Sequence, residues 1–172
     1  MRETFREVTS PDGTTIAFDR LGDGSPVILV CGAMCDRALM RPTAEELAKH
    51  FTVFNYDRRG RGDSSDTAPY AVEREIEDIG TLVAEAGGTA SLVMGDIGRD
   101  GTIPVGEASK VPVSALVLTG GADYPWMIDV GRRLAEAMPN GRHRVLEGQE
   151  HAVPPEVLVP VLKDFFSNRV GP

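Results

Sequence analysis

Ser91-Leu-Val-Met-Gly-Asp-Ile-Gly-Arg-Asp-Gly101 is the stretch on which the reading of this chain turns. Residues 90–94 are a short apolar run of the kind a buried parallel strand shows, and Gly95 ends it abruptly. A strand that breaks on glycine and leads toward a helix is where α/β enzymes mount a nucleophile, on a tight turn that lifts one side chain into the site. Two positions after Gly95 stands Ile97, whose side chain has no attacking atom. The place reads as a nucleophile turn; the residue does not.

Upstream, residues 5–9 and 14–21 read as two strands joined by the turn signal Ser10-Pro-Asp-Gly13. Val27-Ile-Leu-Val30 is a continuous run expected of a strand buried on both faces, and it opens into the small-residue loop Cys31-Gly-Ala-Met-Cys35. Thr43-Ala-Glu-Glu46 fits a capping box that starts a short helix ending near His50. A strand over 51–54 and a polar, Gly-rich loop over 57–66 follow. Pro69 is placed to start a helix carrying Val72, Ile76, Ile79, Leu82 and Val83 at helical spacing, and Gly87-Gly88 stop it. Downstream, 96–112 holds no convincing period. A strand over 113–118, a helix over 125–138, a strand over 142–146 and a helix over 154–168 complete the chain. After the opening hairpin, strands alternate with helices, which predicts an α/β fold with a mainly parallel sheet in one domain, 1–172.

The formal charge of −8 argues against a nucleic-acid or anionic-membrane surface as partner. No apolar run approaches the ~20 residues of a membrane span. The opening Met-Arg-Glu-Thr-Phe lacks the apolar core of a signal peptide, so a cytoplasmic location is expected. Two cysteines, Cys31 and Cys35, support neither a disulfide framework nor a zinc site. No cofactor and no metal are expected.

Three motifs stand in order: Asp57-Arg-Arg-Gly-Arg-Gly-Asp-Ser64, then Gly120-Gly-Ala-Asp123 at the end of a late strand, then Gly148-Gln-Glu-His151 after the final one. Together they resemble the α/β-hydrolase family, in particular bacterial hydrolases with an Asp-x-Arg-Gly-x-Gly-x-Ser loop, over 4–94 and 113–166. The resemblance implies a three-layer α/β/α fold and makes Asp123 the acid and His151 the base of a catalytic pair. It places an oxyanion donor at the backbone N–H of Ala33, with Cys31 where the family often has histidine. Against that pattern, only 96–112 separates two strands. The nucleophile helix, one strand and the cap are therefore expected to be missing, and Ile97 occupies the nucleophile position. A shifted register over Gly98-Arg-Asp100-Gly-Thr102 makes Asp100 a carboxylate nucleophile, as in the family's dehalogenases and epoxide hydrolases, and requires the strand to run four residues further.

Each residue also has a plainer reading. Asp123 could cap the following helix, and Asp96 and Asp100 could be solvated loop carboxylates. Cys31 and Cys35 could be small buried hydrophobes; Cys31 gains interest as a pocket residue only if its thiol faces His151. Trp126 could anchor its helix on the sheet or line the pocket rim. His50 reads as a helix-end residue and His143 as a strand-surface one. Asp57-Arg58-Arg59 reads as structural, the aspartate pinning the turn and the arginines bridging loops. The function expected is a hydrolase of small ester or lactone substrates working through the His–Asp pair. An inactive binding or scaffold protein, or reduced form of the family, is the alternative, and a non-hydrolytic proton-transfer enzyme (cyclase or isomerase) a weaker one. A removed strand exposes a sheet edge, which predicts a homodimer.

Overall fold

A computed structural model describes residues 3–32, 35–94 and 105–167. They fall into two compact units, 1–97 and 98–172. The first holds strands β1 (Glu3–Thr9), β2 (Thr15–Leu21), β3 (Pro26–Val30), β4 (Thr52–Tyr56) and β5 (Ser91–Met94), with helices α1 (Arg41–Leu47) and α2 (Val72–Glu85). The strands form one sheet in the order β1-β2-β4-β3-β5. β1 and β2 are an antiparallel hairpin, β2 meets β4 antiparallel, and β3 lies parallel to both β4 and β5.

The hydrophobic run of β3 is buried on both faces because it lies inside the sheet. Ile28 and Val30 pack with Ile16, Phe18, Phe54 and Tyr56 against Leu82 of α2. Val27, Leu29 and Val53 point the other way by strand alternation and are also fully buried, and α1 packs on β4. A helix thus covers each face. α2 ends as the two glycines predict: Gly88 N–H bonds the Val83 carbonyl and Gly87 N–H that of Ala84, with both glycines at positive φ.

Two helix starts differ from expectation. Thr43 caps nothing, because α1 begins at Arg41 with Pro42 in its first turn and Met40 at the N-cap. Proline's fixed φ favours that first-turn position, which puts Thr43 inside the helix. Likewise α2 starts at Val72 rather than at Pro69, its N-cap Ala71 being extended (φ −149°, ψ 149°).

The second unit holds α3 (Val105–Ala108), β6 (Ala115–Gly120), α4 (Pro125–Ala137), β7 (Gly141–Leu146) and α5 (Pro155–Ser167). β6 and β7 pair in parallel and α4 packs on both. Among the described residues no helix is long and apolar enough to cross a membrane.

Candidate active site

The three motifs do different work. Asp57 leaves the end of β4 with its side chain fully buried. One oxygen accepts the Arg37 backbone N–H at 2.8 Å; the other accepts the Asp63 N–H at 3.0 Å and pairs with the Arg37 guanidinium. Gly62, at φ +49°, lies so close over this carboxylate that a Cβ would collide with it. That is why a glycine stands at that point of the loop. Arg58 forks onto Glu75 with two bonds of 2.7 Å. Arg59 forks onto Asp78 at 2.8 Å and reaches Asp12 of the hairpin turn, also at 2.8 Å. The Asp12 carboxyl is held well below the usual carboxylate range, first by its hydrogen bond from Arg59 and then by the Thr14 backbone N–H. Ser64 closes the loop, accepting the Ala17 N–H and donating to the Asp57 carbonyl.

A cavity of about 360 Å³ opens beside this loop between Asp19, Asp36, Arg37, Arg41 and Asp63. Its arginines are engaged with its aspartates: Arg37 pairs with Asp19, Asp57 and Asp63, and Arg41 with Asp19. The cavity is a product of the loop's ion network and includes neither Asp123 nor His151.

In the second unit β6 and β7 end side by side, and their loops cross closely. Gly121 N–H bonds the Leu146 carbonyl at 2.9 Å and Ala122 N–H that of Gln149 at 2.8 Å. Gly120 permits this approach, since a Cβ there would strike the carbonyl oxygens of Gln149 and Glu150. The crossing brings Asp123 Oδ2 to 3.4 Å from His151 Nδ1. The aspartate side chain is 7% exposed and the imidazole 60%. Asp123 Oδ1 accepts the Tyr124 N–H at 2.8 Å. It does not cap α4, whose N-cap is Tyr124 with no side-chain bond. With Nδ1 turned to the carboxylate, Nε2 is the ring nitrogen left to take a proton, the arrangement of a base held by an acid.

Other candidates are placed elsewhere. Cys31 is buried, donates its thiol hydrogen to the Cys35 carbonyl at 3.1 Å, and has its thiol pushed up by burial. That environment suits a small hydrophobe and works against a thiolate. Trp126 does not anchor α4: it is 64% exposed and stacks on Tyr124, ring centroids 6.4 Å apart at 17°. Met127, Gly131 and Ala135, four apart, make the inward row of the helix, and Trp126 falls off it. His143 is not a strand-surface residue either. It is half-buried, its Nε2 lies 2.9 Å from Thr119 Oγ1, and burial pushes its pKa down. Ala33, Asp96, Ile97 and Asp100 lie outside the described residues.

No family model matches the chain. An alpha/beta hydrolase from Sphaerobacter thermophilus is 31% identical and superposes with a TM-score of 0.85, over 94% of this chain and 100% of that one. An esterase from Exiguobacterium antarcticum (14% identity, TM-score 0.81, 96% of this chain and 100% of that one) has the same fold. A bromoperoxidase from Bacillus anthracis does too (14% identity, TM-score 0.79, 96% and 100%).

Proposed function

The chain belongs to the α/β-hydrolase family, and we propose that it hydrolyses small ester or lactone substrates with His151 as general base and Asp123 as its orienting acid. The observation that carries this reading is the His151 Nδ1–Asp123 Oδ2 approach of 3.4 Å, with the carboxylate nearly buried and the ring open. Catalytic hydrogen bonds of this kind are often long before substrate arrives. With Ile97 in the nucleophile position, the reaction runs by direct attack of water. His151 Nε2 takes a proton as the water oxygen bonds the acyl carbon. The tetrahedral adduct then expels the alkoxide, which receives the proton from the imidazolium, giving acid and alcohol. Asp123 stabilises the imidazolium in between. General-base catalysis of this sort contributes about 10²–10⁴-fold.

The esterase name of the Exiguobacterium neighbour agrees with this substrate class. The reading includes a chain shortened after the β5 strand, in one hydrolase-like domain without the cap, the Asp57–Ser64 loop being the family's structural loop. It also includes a homodimer through the sheet edge that the shortening exposes, on the β5 side of the described sheet. A clean monomer by light scattering at high concentration removes the dimer.

Ile97 itself favours a second reading, an inactive binding protein of the same family. Pre-steady-state hydrolysis of a short acyl ester decides between them. The proposal expects turnover without a burst of alcohol, lost in His151→Ala and kept in Asp96→Asn and Asp100→Asn. A burst equal to the enzyme concentration, abolished in Asp100→Asn alone, would mean a carboxylate nucleophile. Background rates for wild type and His151→Ala alike would mean a binding protein.

A further inference from the structure

We propose that Cys31 and Cys35 are a redox modification site, closed by a low-molecular-weight disulfide to a reversible bridge across the loop that follows β3. The proposal uses neither Asp123 nor His151 and stands apart from the hydrolytic reading. Both are free thiols, and the chain has no third cysteine. The Cys31 thiol donates to the Cys35 carbonyl oxygen at 3.1 Å. Two covalent bonds join that oxygen to the Cys35 Cα, which therefore lies within about 6 Å of the Cys31 sulfur. The Cys35 N–H in turn bonds the Gly32 carbonyl at 3.1 Å, so the chain doubles back on itself. A disulfide spans Cα atoms about 4.4–6.8 Å apart, the range of a folded-back chain, where the ends of a four-residue turn lie under about 7 Å. The two sulfurs also feel each other: burial first, and then the neighbouring Cys35, push the Cys31 thiol up.

Both cysteines ride on fixed points. Cys31 directly follows β3 and is buried with Val30. Two residues beyond Cys35, Arg37 is tied to β4 and its end: its N–H bonds Asp57 Oδ1 and its carbonyl accepts from Asn55 Nδ2, both at 2.8 Å. A bridge therefore joins two ends that the sheet already holds near each other. Their surroundings differ, and the difference orders the steps. Cys31 is 1% exposed, whereas Cys35 is half-buried and meets water first. Cys35, as thiolate, attacks one sulfur of the small disulfide, forming a mixed disulfide and releasing one small thiolate. The Cys31 sulfur then attacks the Cys35 sulfur as its proton leaves to water, and the second small thiolate departs. The two departing thiolates take up the two protons that the cysteines lose. One protein disulfide and two small thiols thus replace two cysteine thiols and one small disulfide. Closure also removes the Cys31 thiol hydrogen, so the loop after β3 exchanges a hydrogen bond for a covalent one.

The test incubates the folded protein with excess oxidised glutathione, quenches in acid and blocks the remaining thiols in denaturant. Mass spectrometry then follows the tryptic peptide 21–37, which carries both cysteines. Wild type should give this peptide two hydrogens lighter than the dithiol, unblocked and without a glutathione adduct. Excess reduced glutathione should return it to the doubly blocked form. In Cys31→Ser the reaction should stop with one glutathione on Cys35. In Cys35→Ser, Cys31 should take up glutathione roughly tenfold more slowly than Cys35 does in Cys31→Ser. Wild type that keeps both thiols, stops at a mixed disulfide or links two copies of the chain overturns the pair. So does a bridge that reduced glutathione fails to open. Equal uptake in the two variants overturns Cys35 as the entry point.

Discussion

Two aspartates, each following a strand and each part of a family motif, end in opposite surroundings. Asp57 is sealed in, and both its oxygens are used by Arg37 and by the backbone of Arg37 and Asp63. Asp123 has one oxygen on a neighbouring backbone N–H and turns the other to an imidazole that is largely open to water. A carboxylate whose partners are all fixed parts of the protein holds a loop in shape. One whose partner presents a free ring nitrogen outward is placed to pass a proton. On the proposed function, Asp57 belongs to the scaffold and Asp123 to the chemistry.

The sharpest way to break it is Asp57→Ala. Two backbone N–H groups and the Arg37 guanidinium would lose their buried acceptor, and removing one partner of a buried charged cluster costs about 3–5 kcal/mol. Denaturant unfolding should show that loss; a change under 1 kcal/mol would mean that Asp57 is not a structural post. Gly62→Ala should be next, at roughly 1–3 kcal/mol from the collision with Asp57 and the positive φ. Asp12 extends the same scaffold to the hairpin turn. Because its folded pKa is depressed, its contribution is present above the unfolded carboxylate value and is lost as pH falls below it. The unfolding midpoint of wild type should therefore decline from about pH 5 downward, and more shallowly in Asp12→Asn. Equal slopes in the two proteins would remove Asp12 from the network. His151→Ala should be the mildest change, within about 0.5 kcal/mol of wild type, because the side chain is exposed.

How far the sequence carried can be seen residue by residue. The run Val27–Val30 and the pair Gly87-Gly88 announced a central strand and a helix stop, because a doubly buried strand and a left-handed C-cap each demand particular residue types. The helix starts were less legible: Thr43 and Pro69 are good local signals, but Pro42 already holds the first turn of α1 and Ala71 keeps the chain extended before α2. His143 was missed although its signal was there. Arg142 and Arg144 flank it on the outward face of β7, so strand alternation turns His143 inward with Val145. Asp123 and His151 could be named from motif order, yet their approach depends on Gly120 letting two loops cross, a three-dimensional fact that no spacing encodes. The ion partners of the Asp57 loop, Arg37, Glu75 and Asp78, lie 17 to 20 residues from the residues they serve and carry no local mark.

The proposed function makes the His151–Asp123 pair the working part of this chain. The measurement that tests it most directly is kcat/KM for ester hydrolysis in wild type and in His151→Ala, on protein shown by unfolding to be equally stable. A fall of about 10²–10⁴-fold in the variant is expected. Equal values for the two proteins would contradict it.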